Sequence, residues 1–174
     1  MPDSNGMVIL VDASDRPLGI ENKLVAHLGR GKLHRAFSIF ILDSSNRLLL
    51  QKRASCKYHC PGFWSNSCCS HPQPAEDLVT GAQKRLQHEL GFSTVLTEIG
   101  TVEYRLTLDN GMVEWELNHL LVGHYEGVVN PCLEEVTECQ WTELAKLEKE
   151  LEGYKEQFTP WLPIILPYLV KFVD

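Results

Sequence analysis

The chain has 174 residues, 44% apolar and 22% charged, as in ordinary globular proteins, so one domain spanning 1–174 is expected. At this length roughly 70% of the unfolded surface is buried on folding without disulfide or metal staples, so a bound metal needs a chemical reason. Sixteen Lys and Arg against 23 Asp and Glu leave a formal charge of −7, the wrong sign for tracking nucleic-acid backbones, while a small anion held by a few local cations stays open.

In chain order, residues 7–12 alternate as a short strand, and Ser14-Asp15-Arg16-Pro17 turns the chain back toward Leu18-Gly19-Ile20, predicting a hairpin. Residues 36–42 and 47–52 are apolar runs joined by Asp43-Ser44-Ser45-Asn46, which predicts a second antiparallel pair. Residues 54–75, punctuated by Pro61, Gly62, Asn66, Ser70, Pro72 and Pro74, predict an irregular loop. Loops of about 20 residues inside a compact domain are usually functional.

Residues 76–90 give the clearest helix, with Leu78, Ala82, Leu86 and Leu90 at i+4 steps and Gly91 placed to end it. Residues 100–108 and 112–125 alternate on either side of Asp109-Asn110-Gly111, a hairpin signal that puts Glu114 and Glu116 on one strand face. Thr142 is placed to cap a charged helix running to Glu152, and Thr159-Pro160 to start a last helix containing Trp161. The apolar stretch 161–173 is broken by Pro163 and Pro167 and falls short of the ~20 residues of a membrane span, so no membrane is expected.

Cys56, Cys60, Cys68, Cys69, Cys132 and Cys139 lack CxxC pairing, and the sequence shows no secretory signal. Reduced thiols in a cytoplasmic protein are expected. The loop 61–72 crowds thiols, an imidazole and small hydroxyl and amide residues at the approach to the central helix, where substrate-positioning loops are often found. Taken alone, His27 and His34 are ordinary surface histidines. Glu114 and Glu116 either face water or share a cation, because two carboxylates on one strand face repel. Arg85 and Glu89, at i and i+4, suit a surface salt bridge worth about half a kcal/mol. Lys23, Arg53 and Lys57 are scattered surface cations.

These pieces gather in a resemblance. The loop P-G-x-W-[ST]-N-S-x-C-x-H-P, the earlier His27 and His34, the hairpin from Tyr104 to Glu116 with its E-x-E, and Thr159-Pro160-Trp161 resemble type I isopentenyl-diphosphate isomerase, from about Lys23 to about Trp161. The chain also carries a degenerate Nudix box, Ser70-x5-Glu76-x7-Lys84-Arg85-Leu86-Gln87-His88-Glu89-Leu90-Gly91-Phe92. Relative to the hydrolase pattern GX5EX7REUXEEXGU, Ser70 stands for Gly, Lys84 for Arg, Arg85 for Glu and His88 for the first Glu of the pair. That loss of carboxylates favours the isomerase over the alternative, a Nudix-type diphosphohydrolase.

The resemblance implies an α+β, Nudix-like fold with mixed and antiparallel sheets packed between helices, and conversion of isopentenyl to dimethylallyl diphosphate in isoprenoid biosynthesis. His27, His34, His71, Glu114 and Glu116 resemble ligands of a divalent ion, Zn, Mn or Mg. Glu89 resembles the residue that helps hold Mg against the diphosphate. Lys23, Arg53, Lys57 and Arg85 resemble the cations around the diphosphate. Cys69 and Glu116, assisted by Tyr104, resemble the acid and base pair, and Trp161 the aromatic facing a carbocation. The expected partner is a small-molecule diphosphate taken up by a monomer. Cys56, Cys60, Cys132 and Cys139 are left as structural thiols.

Overall fold

The computed structural model describes residues 6–174, so the first five residues of the expected 1–174 domain lie outside the described residues. The entry hairpin is present: β1 (Met7–Val11) pairs antiparallel with β2 (Pro17–Asn22). Its turn is held by Asp12, whose carboxylate accepts the amides of Ser14 and Arg16. A single helical turn, α1 (Lys23–Ala26), follows, capped by Asn22 Oδ1.

The second expected pair is corrected. β3 (His34–Leu42) and β4 (Leu48–Arg53) meet only at their turn, Leu42 opposite Leu48. Along its whole length β3 instead runs parallel to β8 (Val113–His124), and β6 (Cys68–Ser70) pairs antiparallel with its middle. A central strand covered on both faces is apolar on both, so residues 36–42 form a nearly continuous apolar run that carries no sign of which strand lies beside it. β4 diverges to pair with β5 (Trp64–Ser65) and β9 (Val136–Thr142). β5 and β6 give regular structure to part of the stretch expected as irregular loop. The third hairpin is as expected, β7 (Thr97–Thr107) against β8, with Gly111 at φ +79° in the turn.

Helices cover both faces of the sheet. α2 (Leu78–Leu90) starts two residues later than expected, because Asp77 takes the cap position and accepts the Thr80 amide at 3.0 Å. Gly91 ends it in the left-handed conformation, φ +79°. Ala82, Leu86 and Leu90 pack on Phe37, Ile39, Ile41 and Leu121. On the other face α3 (Leu144–Gly153) and α4 (Leu162–Val173) lay Leu147, Leu162, Ile165 and Leu169 on Phe40, Leu42, Leu48, Leu50, Leu120 and Val122. Thr142 ends β9 and Glu143 occupies the cap of α3; Trp161 sits at the cap of α4, one residue before the helix it was expected to join. No helix among the described residues is long and apolar enough to cross a membrane.

The period of two positions the site. On the face toward α4, β8 presents Glu114, Glu116, Asn118, Leu120 and Val122, and β3 presents His34, Ala36, Ser38, Phe40 and Leu42. Each strand is polar at its start and apolar beyond. The apolar ends lie in the core beneath α4, and Glu114 and Glu116 open into a cleft that Trp161 also lines.

Candidate active site

Three imidazoles and two carboxylates meet at the polar end of β8. His27 and His34, read alone as surface histidines, are fully buried, with 0% exposure each, and Glu114 and Glu116 are 4% and 6% exposed, so this is not a wet outer face. His27 Nδ1 lies 2.6 Å from the Lys23 carbonyl and His34 Nδ1 2.7 Å from the Lys32 carbonyl. Carbonyls only accept, so both Nδ1 atoms carry their protons, and in the neutral rings Nε2 offers a bare lone pair. The Nε2 atoms converge: His34 Nε2 faces His71 Nε2 at 3.2 Å, His71 Nε2 lies 3.1 Å from Glu116 Oε1, and His27 Nε2 3.3 Å from Glu114 Oε2. One ligand atom from each of His27, His34, His71 and Glu116 falls within 4.8 Å of the others. A neutral His71 can give an Nε2 proton to only one of His34 Nε2 and Glu116 Oε1, and the donor set of imidazole and carboxylate suits a divalent ion.

The electrostatics follow from burial. Burial pushes His71 down to about 4, against the pull of Glu116. Burial acts the same way on His27, but the Glu114 carboxylate beside it outweighs it and raises that ring. Burial raises both glutamates, and the contact between them lowers Glu114 and raises Glu116; the imidazoles beside them, His27 and His59 at Glu114 and His34 and His71 at Glu116, leave both carboxyls below their ordinary value.

Glu116 divides its two oxygens. Oε1 faces the imidazoles, while Oε2 accepts the Tyr104 hydroxyl at 2.8 Å. Asn118 Nδ2 donates to that hydroxyl oxygen at 2.9 Å, fixing its orientation. Burial, and then Glu116, raise Tyr104 well above the usual phenol range. Cys69 lines the same cleft as Glu116, Tyr104 and Trp161. Its thiol donates to Asn66 Oδ1 at 3.1 Å and contacts Ser38 Oγ at 3.4 Å. Asn66 gives its amide hydrogens to the carbonyls of Ile39 and Cys68, so its oxygen necessarily faces the thiol. Burial raises Cys69 to about 11, partly offset by those two contacts.

The cations gather on another wall. Lys23, Arg53, Lys57 and Arg85 line the cleft rather than standing as scattered surface charges. The expected surface pair of Arg85 and Glu89 is also corrected: the side chains are 16% and 3% exposed and meet at 3.0 Å. Arg85 bridges on to Glu135 at 3.0 Å, and Lys57 pairs with the same carboxylate. Glu89 further accepts the Cys68 thiol at 2.9 Å, and although burial raises this carboxyl, Arg85 and Lys57 bring it below its ordinary value. Arg53 stacks its guanidinium 5.5 Å from the Trp161 ring centre. Cys68 and Cys69, adjacent in β6, therefore face opposite sides of the strand. Cys56, Cys60, Cys132 and Cys139 are free thiols.

Sequence reasoning missed two side chains here. Glu135 joins Lys57 to Arg85 from a segment before an unpredicted strand, and only the bare Glu134-Glu135 pair hinted at it. His59, two residues after Lys57, sits against Glu114, with no spacing that pointed there.

The NUDIX domain family matches residues 32–162. The isopentenyl-diphosphate Delta-isomerase of Serratia proteamaculans is 43% identical over 160 residues, spanning 92% of this chain and 89% of that protein. The chain belongs to the isopentenyl-diphosphate Delta-isomerase family. Isopentenyl-diphosphate Delta-isomerase 1 of Aromatoleum aromaticum is 44% identical over 155 residues, spanning 89% of this chain and 87% of that one. Among solved structures the fold resembles DR0079 from Deinococcus radiodurans, with a TM-score of 0.77 at 13% identity over 92% of this chain and 97% of the other. A MutT protein from Methanosarcina mazei aligns with a TM-score of 0.63 at 20% identity over 80% and 92%. These two share the Nudix fold; the isomerase family is carried by the closer sequences.

Proposed function

We propose that this chain, as one catalytic domain, converts isopentenyl diphosphate to dimethylallyl diphosphate and back, with Cys69 and Glu116 as its proton-transfer groups. The observation that carries the assignment is one cleft holding a buried thiol, a carboxylate hydrogen-bonded to a buried phenol, and a wall of cations. The reaction adds a proton at C4 of the alkene and removes one from C2. The intermediate has tertiary carbocation character and would be lost to water, so the reacting end must be dry and able to stabilise positive charge. Cys69 and Glu116 each exchange one proton with the carbon skeleton, from opposite faces. Tyr104 steadies the Glu116 oxygen that does so, and the Trp161 ring faces the cation, a contact worth about 2 kcal/mol or more when desolvated.

Lys23, Arg53, Lys57 and Arg85 hold the diphosphate by charge-assisted bonds. Lys57 and Arg85 are already answered by Glu89 and Glu135, so a diphosphate entering alone meets carboxylates as well as cations. This favours its arrival with Mg, which Glu89 would help to hold. His27, His34, His71, Glu114 and Glu116 would hold a second divalent ion, Zn, Mn or Mg. That ion would supply positive charge to offset two buried carboxylates beside an apolar substrate. Hydrolysis is disfavoured because basic side chains replace two glutamates of the Nudix box: Arg85 pairs with Glu89 and Glu135, and His88 lies on the exposed side of α2.

Incubation with isopentenyl diphosphate and Mg, followed by NMR, tests the assignment. The allylic isomer is expected; release of inorganic phosphate or diphosphate would establish the hydrolase instead, and an unchanged substrate would mark a binding scaffold. We place the protein as a cytoplasmic monomer, on its reduced thiols and small-molecule substrate.

A further inference from the structure

We propose that His59 is an additional protein ligand at the divalent-metal centre, joining it on the His27 and Glu114 side and turning that side toward nitrogen-preferring ions. The inference rests on the metal reading of that cluster and extends it to a residue outside the motifs of the sequence.

The geometry is specific. His59 is buried, and its Nδ1 lies against Glu114 Oε1, while the other oxygen of that carboxylate faces His27 Nε2. Ligand atoms of His27, His59 and Glu114 fall within 4.8 Å of one another, a second group that shares His27 with the set of His27, His34, His71 and Glu116. The two rings stand edge to face with centres 4.6 Å apart, close to the 4.7 Å between His27 and His34. His59 therefore approaches His27 and Glu114 as closely as the other rings approach one another. It is also held in place. Its carbonyl accepts Arg53 Nε at 2.9 Å, and the Tyr58 ring packs edge-on against it with centres 4.2 Å apart. His27 Nε2 and His59 Nε2 are buried without hydrogen-bond partners, as groups awaiting a ligand would be.

Two roles fit a histidine beside a metal-binding carboxylate. As a mere donor, His59 would only orient Glu114, and any side chain able to donate would replace it. As an imidazole ligand, nothing but another nitrogen or sulfur ligand would. An additional imidazole on that side favours Co and Zn over Mg, since imidazole suits the later first-row ions and oxygen ligands suit Mg.

The test is titration of the metal-free full chain with Co2+, read by its visible d–d absorption and by competition with a chelating dye, in parallel with Mg2+ binding. Wild type, His59→Gln, His59→Asn and His27→Ala are compared, with circular dichroism of each metal-free form as the check on folding. Gln and Asn keep a donor amide and remove the imidazole, and using both retains a folded variant if one shape is not tolerated. The expected result is a ten-fold or larger loss of Co2+ affinity and an altered d–d spectrum in both His59 variants, with Mg2+ affinity changed less than Co2+ affinity. Wild-type Co2+ affinity and spectrum in either folded His59 variant would overturn the inference. If His27→Ala also kept wild-type Co2+ binding, the metal reading of the whole cluster would fall, a separate failure that this control makes visible.

Discussion

The two cysteines of β6 look into two differently built polar clusters. Cys68 faces the α2 layer, where its thiol donates to Glu89 and where Arg85 and Lys57 are tied to Glu89 and Glu135. Cys69 faces the α4 layer and the cleft, where carboxylates are met by imidazoles and a phenol. In the first cluster opposite formal charges are matched within the protein. In the second, imidazole nitrogens and carboxylate oxygens converge on one another, a set that a divalent cation would complete. Buried opposite charges are strongly destabilised when one partner is removed, whereas a set of converging ligands registers such a loss chiefly in what it binds. Two neighbouring residues thus sit beside one cluster whose charges are matched within the protein, and another to which the proposed proton-transfer chemistry is assigned.

The sharpest way to break this comparison is to alter each cysteine in turn. Cys69→Ala should lower isomerisation on the order of 10²- to 10⁴-fold, the range for a lost general acid or base, while Cys68→Ala should keep most turnover. NMR conversion of isopentenyl diphosphate measures both. Near wild-type turnover by Cys69→Ala would remove the thiol from the mechanism. Next in size, Glu116→Gln should retain most metal, through its remaining carbonyl oxygen, and lose on the order of 10²-fold in rate. Glu114→Gln should lower metal content, with activity partly restored by excess divalent ion. Elemental analysis beside deuterium uptake at C2 and C4 separates the two; if Glu116→Gln lost its metal and regained wild-type exchange on adding it, Glu116 would have only a structural task.

What could be read in advance was local. Asp109-Asn110-Gly111 fixes its hairpin because Gly111 takes a positive φ and Leu108 bonds Met112 across the turn at 2.8 Å. Gly91 ends α2 for the same kind of reason. Alternation in β8 was enough to put Glu114 and Glu116 on one face, though not to tell whether that face was wet. The parallel pairing of β3 with β8 was not legible, since a strand apolar on both faces does not name its neighbour. β9 was missed because its Thr-Glu-Cys-Gln core mixes exposed and half-buried polar residues. With it went Glu135, whose partners Lys57 and Arg85 lie far away in sequence. The resemblance supplied the grouping of His27, His34 and His71, which spacing alone left as surface residues. It said nothing of His59, which no motif contains.

The charge-matched cluster gives a smaller, two-part effect. Arg85→Leu leaves Glu89 and Glu135 each short of a cation, so unfolding in urea should show a loss of about 3 kcal/mol, the lower end for breaking a buried pair. The KM for the diphosphate should rise about ten-fold, as for one lost charge-assisted bond of about 1.5 kcal/mol, with kcat changed far less. A fall in kcat at constant KM would instead place Arg85 with the proton-transfer groups.

The smallest expected effect is in the pH dependence of the metal-free protein, and it separates the clusters once more. The His71 value is lowered to about 4 from an ordinary 6.5 by burial, so between these limits the unfolded chain binds a proton that the folded chain refuses. Stability must then fall as pH is lowered from 6.5 toward 4. His27 is shifted upward by Glu114 against its burial; its contribution is complete below 6.5 and is lost only as pH rises through its folded value. The carboxyls of Glu89, Glu114 and Glu116 are shifted below 4.5; their contribution is present above 4.5 and is lost as pH falls through their folded values. Most of the window between 6.5 and 4.5 therefore belongs to His71 among these groups. The melting temperature of the metal-free wild type should drop by several degrees across it, at roughly 2–4 °C per kcal/mol for a chain of this size. His71→Gln, which cannot titrate there, should flatten the slope. An unchanged slope in that variant would mean that His71 does not resist protonation in the folded state.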